Sequence, residues 1–413
     1  MAKTRNGMIA ALDVGTTKVS CFIAHLHGED GIRIAGVGHH AAAGMRAGVI
    51  TDMDAAESAI LTAVGAAEQR AGERIKSVVI NIAGGALASQ TLGVEIALAG
   101  REVVEADLRR ALGQGTSQEQ PPDRALIHCI PVAYTIDATR GIRDPRGMFG
   151  DKLGIDMHLV TAKSGTLRNL ATCVAHCHLD IDAQVAAPYA SGLACLVEDE
   201  LDLGVTLVDM GGGTTTIAVF YEGEVVHTDS IPVGGQHVTN DIARGLSTSL
   251  VHAERMKTLY GSAIASPSDE REIIDVPLVG EDNPAQANHV PRSILNGVIR
   301  PRIEETLELV RSHLEVSGVD KIGGRRMVLT GGASQLQGVR ELAALILEKQ
   351  VRMGRPIRIS GLPESIGGPA FSTCAGLLRY AADKGVAGEG AHFIPEGPIS
   401  RFGRLGQWLR ENF

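Results

Sequence analysis

Asp13-Val14-Gly15-Thr16-Thr17-Lys18 and Asp209-Met210-Gly211-Gly212-Gly213-Thr214-Thr215-Thr216 decide how this chain reads. The first stretch lies between Ile9-Ala10-Ala11-Leu12 and Val19-Ser20-Cys21-Phe22-Ile23, the second between Val205-Thr206-Leu207-Val208 and Ile217-Ala218-Val219-Phe220. Each is strand, tight turn, strand. The repeat falls near mid-chain, so the two halves are expected to build the same kind of sheet. Taken alone, either hairpin reads equally well as a plain β-turn, because glycine is common in short turns. Two copies, each with aspartate before the turn and paired threonines in it, favour a ligand.

Phosphate oxygens need several N–H donors converging at short range, and glycine lets the backbone approach where a Cβ would collide. Gly15, Thr16, Thr17 and Lys18 offer such donors from one side of a cleft, and Gly211, Gly212, Gly213, Thr214 and Thr215 from the other. Asp13 and Asp209 repel phosphate and make chemical sense as ligands, through water, of an accompanying Mg²⁺. A third element, Leu329-Thr330-Gly331-Gly332-Ala333-Ser334, carries the strand-like run 326–330 through glycines into a helix. There Gly331, Gly332 and Ala333 let backbone lie flat against an adenosine, and a helix N-terminus faces anionic groups. The ligand these elements fit is ATP or ADP. No Gly-x-x-x-x-Gly-Lys-Ser/Thr run is present, which excludes a P-loop site.

The 413 residues are enough for two to four compact units, and 44% hydrophobic content can give each a core. A net charge of −9 argues against wholesale nucleic-acid binding, so no nucleic-acid partner is expected. The longest uncharged run, 77–94, is interrupted by Asn81, Ser89, Gln90 and Thr91, and the apolar start near Met8 by Asp13 and Lys18. Neither makes a transmembrane helix or a signal peptide. The cysteines are scattered without disulfide-like spacing, which fits buried thiols in a reducing cytoplasm. Cys173 and Cys177 with His176 and His178 suggest a metal cluster at first sight. Their spacing against Leu167, Leu170 and Val174 reads more simply as the inward stripe of a helix.

Between the two hairpins the pattern gives an alanine-rich helix at 54–71, a strand at 78–82, and then a region, 86–163, with strand and turn signals of its own and a polar loop at 114–123. That region reads as an inserted subdomain. Residues 267–291, rich in charge, proline and asparagine, read as loops and short strands at the outer edge, before helices at 294–317 and 337–349. Glycines and prolines in 384–398 make a flexible tether. Beyond it, at 100° per residue, Ile399, Phe402, Leu405, Leu409 and Phe413 share one stripe, Trp408 and Arg410 mark its edges, and Arg401 and Arg404 lie outside it. Such an amphipathic helix either docks on its own domain or reaches a separate surface. The leash and the local positive charge in an acidic chain favour an anionic membrane. Each arginine adds about 1 kcal/mol there and each inserted apolar side chain ~1–2 kcal/mol, so one copy binds weakly and several on a polymer bind tightly.

The order and spacing of Asp-x-Gly-Thr-Thr-Lys, Asp-x-Gly-Gly-Gly-Thr-Thr and Gly-Gly-Ala-Ser resemble the two phosphate motifs and the adenosine motif of the actin, heat-shock chaperone and sugar-kinase superfamily. The fold this implies is α/β, an actin-like (ribonuclease H-like) pair of domains about a nucleotide cleft. Within it the chain is most similar to the FtsA family of bacterial cell-division proteins. Ile231-Pro232-Val233-Gly234-Gly235-Gln236-His237-Val238-Thr239-Asn240-Asp241 resembles that family's segment opening the helix beside the nucleotide. Ala253-Glu254-Arg255-Met256-Lys257 with Tyr260-Gly261-Ser262-Ala263 resembles its adenosine-contacting helix, which implies Glu254 and Lys257 near ribose and base. His128-Cys129-Ile130-Pro131, Tyr134, Asp137 and Asp144-Pro145-Arg146-Gly147-Met148 resemble its extra subdomain.

The resemblance divides the chain into a first subdomain at 8–85 and 164–203, the insertion at 86–163, a second subdomain at 204–243 and 301–368, and an outer subdomain at 244–300. A return helix at 369–383, the linker 384–398 and the membrane-targeting helix 399–413 complete it. It further implies an ATP-bound protein that self-associates as actin-like protofilaments on the cytoplasmic face of the inner membrane at the division site. There it would bind the C-terminal tail of the tubulin-like FtsZ through 244–300 and recruit later division proteins.

Hydrolysis is a separate question. In several relatives a Glu or Gln nine residues before the glycine of the segment joining the halves orients the attacking water. Here that segment is Pro188-Tyr189-Ala190-Ser191-Gly192, and the position is Ala183, leaving its neighbour Gln184 as the weak catalytic candidate. Thr216 stands where the family usually has aspartate. Loss of general-base help removes a factor of roughly 10²–10⁴, so weak or absent hydrolysis is expected. The alternatives are a small-molecule kinase of the sugar-kinase type, which begins with the same first motif, and a pilus-assembly ATP-binding module like PilM. A heat-shock chaperone fits less well, because too few residues follow Gly332 for a substrate domain.

Overall fold

The computed structural model describes residues 7–27, 31–280, 288–357 and 359–387. The terminal helix read at 399–413, most of the tether and part of the 267–291 loop region lie outside these residues.

Five strands of the first half, Met8–Val14, Lys18–His27, Gly31–Ala41, Ser77–Ile82 and Asp180–Ala186, form one sheet. In chain order they stand third, second, first, fourth, fifth; the first three pair antiparallel and the last two join in parallel. Val205–Met210, Thr215–Tyr221, Glu224–Ile231, Arg326–Thr330 and Gln350–Met353 repeat this order and these directions in the second half. The first strand of each sheet is central and almost wholly buried, which is why Ile9-Ala10-Ala11-Leu12 and Val205-Thr206-Leu207-Val208 are nearly unbroken apolar runs.

Helix Met53–Ala71 starts at Asp52, whose side chain accepts from the Ala55 amide at 3.1 Å, and stops at Gly72 in the left-handed region. Its buried face of Ala56, Ala59, Ile60, Ala63, Val64 and Ala67 lies on the strand Gly31–Ala41. A β-carbon at Gly36 or Gly38 would overlap the helix carbonyls of Ala67 and Ala63, so the small residues on both surfaces set this spacing. Cys173 lies with Leu167, Leu170 and Val174 on the buried face of helix Ser164–His176, as the stripe reading expects.

The inserted region forms a separate four-stranded sheet of Ala88–Ala97, Lys152–Lys163, Arg124–Ile136 and Thr139–Ile142, in that order, with helix Glu105–Thr116 against it. It has its own core, around Leu108, Leu112, Leu153, Met157 and Leu159. It touches the second half at the edge strand Glu224–Ile231. Ser89 there plays the part of a missing strand, donating to the Thr228 carbonyl and accepting from its amide, both at 2.8 Å, while the fully buried His158 bonds the Thr228 hydroxyl.

On the outer side of the second half, the short strands Ile273–Val276 and Asn288–Pro291 pair antiparallel beside helix Arg292–Val316, which tolerates Pro301. Two helices cross between the halves: Ala187–Cys195 outward, Ser372–Ala387 on the return. They pack so closely that a β-carbon on Gly376 would overlap the Ala190 carbonyl. The return helix runs to Ala387, four residues into the stretch read as tether; Gly385 within it costs about 1 kcal/mol, which a helix already nucleated and packed upstream tolerates.

Candidate functional site

Both quoted turns end central strands at the same edge of their sheets, so the duplicated topology brings them face to face. In each, the first glycine closes the hairpin: Gly15 N–H donates to the Lys18 carbonyl at 3.0 Å, and Gly211 N–H to the Thr214 carbonyl at 2.9 Å. Gly212 and Gly213 meet Thr17 and Thr16 across the gap, where a β-carbon on either glycine would strike the opposing threonine. The turns enclose a cavity of ≈ 170 Å³ lined by Asp13, Gly15, Thr16, Thr17, Lys18, Asp209, Gly211 to Thr214, Thr216, Gly331 and Gly332. A larger groove of ≈ 830 Å³ adjoins it through Thr16, Thr17, Gly212 and Gly332, and is lined by Gly235, Glu254, Lys257 and Ala333.

Asp13 and Asp209 are each less than a tenth exposed. Burial pushes the Asp13 carboxyl up to about 7, with Lys18 opposing and Asp209 adding to the rise. Burial also raises Asp209, against hydrogen bonds from Ser191 at 2.6 Å and Thr373 at 3.0 Å and the charge of Lys18. Burial lowers Lys18, whose Nζ donates to the Ala370 carbonyl and sits 3.3 Å over the centre of the Phe371 ring. Two carboxylates and one ammonium thus share a poorly solvated space, where a divalent cation would relieve the desolvation of both acids. The residues fit the expected ligand: glycine backbone and threonine hydroxyls for phosphate, two acids for a cation, and a larger groove for a nucleoside. Glu254 and Lys257 sit in that groove as a pair, Nζ to Oε2 2.7 Å, with Lys257 also bonding Thr239 at 2.8 Å and the Gly235 carbonyl at 3.1 Å.

Three expected residues stand elsewhere. Thr215 is fully buried and its hydroxyl donates to the Val233 carbonyl at 2.8 Å, because the strand alternation turns it away from the cavity that Thr214 and Thr216 line. Gly234 lies behind the second turn; the amides of Gly235 and Gln236 donate to the carbonyls of Gly211 and Gly212 at 3.0 and 2.7 Å and lock that turn to the helix Gly235–Gly245. Gln184 sits within the edge strand Asp180–Ala186, paired to Ile80, and does not line the cavity; Ala187 at the strand's end does.

Other residues take positions that the motifs did not announce. Asn81 Oδ1 accepts from Val14 N–H at 2.8 Å and fixes the first turn; a polar residue in the apolar run 78–82 was its signal. Gly48, on the tight turn between Met45–Arg46 and Val49–Ile50, donates to Thr16 Oγ1 at 2.9 Å and joins the cavity wall. Ser191 and Thr373, on the two crossing helices, had no local signal, since only the fold brings them to Asp209.

A family profile described as Cell division protein FtsA matches residues 206–376, and one described as SHS2 domain inserted in FTSA matches 84–161. The insertion is therefore of the SHS2 kind. Among solved structures, the PilM-PilN type IV pilus biogenesis complex is similar at a TM-score of 0.65 and 15% identity over 92% of this chain and 100% of that one. MreB 5 of Spiroplasma citri bound to AMPPNP is similar at 0.55 and 14% over 93% and 99%. These likenesses concern the fold, which is actin-like. The curated Cell division protein FtsA of Rhizobium meliloti (strain 1021) is 48% identical over 99% of this chain and 96% of its own length. Sequence, inserted domain and duplicated sheets agree, and the chain belongs to the FtsA family of cell-division proteins.

Proposed function

We propose that the cleft holds ATP or ADP with Mg²⁺, and that the ATP-bound protein assembles into actin-like protofilaments on the cytoplasmic face of the inner membrane. There it tethers the FtsZ ring through the FtsZ tail and recruits later division proteins. The observation that carries the reading is the face-to-face pair of glycine–threonine turns with a buried aspartate behind each. Bound Mg²⁺ would neutralise charge shared between phosphate and the acids. The chain's own part is to present backbone amides from Gly15 to Lys18 and Gly211 to Thr214, to keep water out of a narrow cavity, and to hold the nucleoside between Gly235, Lys257 and Ala333.

Turnover is slow in this reading. Among the described residues no Glu or Gln lines the cavity between the turns, and Asn81 Oδ1 is already engaged by Val14. The membrane step rests on the amphipathic pattern at 399–413 and on family membership. Titration with Mg²⁺·ATP, and sedimentation with anionic liposomes and an FtsZ tail peptide, test it. Deleting 399–413 should leave nucleotide binding intact and abolish liposome sedimentation. Sedimentation that survives the deletion removes the tether, and no measurable ATP binding by the full chain removes the site.

A further inference from the structure

We propose that Ser191 and Thr373 are positioning residues, a hydroxyl clasp that sets Asp209 for the divalent cation and passes its occupancy to the two helices crossing between the halves. The inference rests on the nucleotide reading above and concerns residues outside every motif that led to it.

Both hydroxyls donate to one carboxylate oxygen, Oδ2, from Ser191 at 2.6 Å and from Thr373 at 3.0 Å, and the two hydroxyl oxygens are 3.0 Å apart. Oδ1 thereby keeps its lone pairs for the cavity that Asp209 lines. On its far side stands Gly331, in the left-handed region at φ +86, where any β-carbon would overlap Oδ1. The carboxylate is thus oriented by a bond pair on one oxygen, while the missing side chain of Gly331 leaves room for the other.

The donors come from separate helices. Ser191 is fully buried in the largely apolar helix Ala187–Cys195. A buried hydroxyl in such surroundings needs an acceptor, and the Asp209 carboxylate at 2.6 Å is a nearer and stronger one than the Thr373 hydroxyl at 3.0 Å. Thr373 is in the first turn of Ser372–Ala387. That turn and the 3-10 turn Pro369–Phe371 leading into it are also tied to the third motif: Ser372 and Thr330 hydroxyls lie 2.7 Å apart, and Gly331 N–H donates to the Pro369 carbonyl at 3.2 Å. Lys18 bonds the Ala370 carbonyl in the 3-10 turn. Residues of all three motifs therefore converge on 369–373.

With Gly376 set directly against the Ala190 backbone carbonyl, a shift of one helix is passed to the other. Whatever draws the Asp209 carboxylate toward the cavity stretches a bond to each helix at once. Along the chain the return helix precedes the segment proposed to reach the membrane, so its first turn is where the state of the cleft can enter that helix.

The test compares wild type, Thr373→Val and Thr373→Ser as full chains. ATP affinity is measured with Mg²⁺ and with EDTA, and amide hydrogen exchange is followed across 372–387 in each state. In wild type, Mg²⁺ tightens ATP binding and alters exchange in that helix. Thr373→Val should cut the Mg²⁺-dependent gain in affinity by roughly 10-fold or more, as loss of a ligand-orienting partner does, and exchange in 372–387 should stop following Mg²⁺. Thr373→Ser should restore both. A Thr373→Val protein that keeps the full Mg²⁺-dependent gain and the exchange response overturns the clasp. Wild type that binds no ATP in either buffer overturns the nucleotide reading instead. If Thr373→Val does not fold, Ser191→Ala, which removes the shorter bond with little change of volume, is judged by the same two readouts.

Discussion

Asp13 illustrates how a binding residue works against the fold that carries it. Its carboxyl, pushed up to about 7 chiefly by burial, lies far above the ordinary 3.8 of an exposed aspartate. Between those two values the folded chain keeps a proton that the unfolded chain has lost, so this residue's contribution to stability falls as pH rises through the window. Above it the cost is of order 4 kcal/mol in the ligand-free protein. Asp13→Asn keeps the shape and removes the charge. At pH 8 it should raise the melting temperature of the ligand-free protein by a few degrees, roughly, while weakening Mg²⁺-dependent ATP binding. A lower melting temperature would mean that the charge is satisfied in the native cleft. Gly331 shows the complementary constraint: it lies at φ +86 with Asp209 against it, so chemistry and backbone both demand glycine there.

At the scale of elements, the joint between the inserted sheet and the strand Glu224–Ile231 is polar and histidine-rich. His158 has its Nδ1 buried without a hydrogen-bond partner, as has His227 Nε2. Burial, with His227 and His128 nearby, pushes His158 down to about 3; burial also lowers His227, against the pull of Asp229, which bonds His313 at 2.6 Å. Below the ordinary histidine value of 6.5 the unfolded chain takes up a proton that His158 in the folded chain refuses. Stability contributed by this joint is therefore full above pH 6.5 and falls as pH drops toward 3. From pH 6.5 to 5 the loss is about 2 kcal/mol for the one histidine. Urea denaturation at pH 7.5 and pH 5 should show His158→Gln losing less stability than wild type over this interval; equal losses would place the acid sensitivity elsewhere. The Ser89–Thr228 exchange explains why so small a contact holds register, since it satisfies both backbone groups of Thr228 on an otherwise open edge.

For the whole molecule, the two halves present one surface each, and a ligand touching both turns bridges them. Binding to the folded state alone adds about 2.7 kcal/mol at a ligand concentration 100 times the dissociation constant, so Mg²⁺·ATP should raise the melting temperature. Gly213→Val, whose side chain must displace Thr16 across the gap, should abolish that rise; an undiminished rise in the variant would show that the turns need not face each other to bind. The duplication of the sheet, the insertion with its own strands, the glycine-rich turns and the aspartates behind them are all local patterns. Strand period, turn chemistry and backbone freedom are set within a few residues, and the sequence by itself determined them. It also determined the lack of a carboxamide at Ala183. What only the tertiary structure decided is which groups meet. Thr215 and Gly234 belong to the right motifs yet lie behind the turn, because strand alternation and helix packing turn them away. Asn81, Gly48, Ser191 and Thr373 come from separate segments and reach the cleft through sheet order and the crossing of two helices at Gly376. Their contacts depend on distances across the fold, which no spacing along the chain encodes.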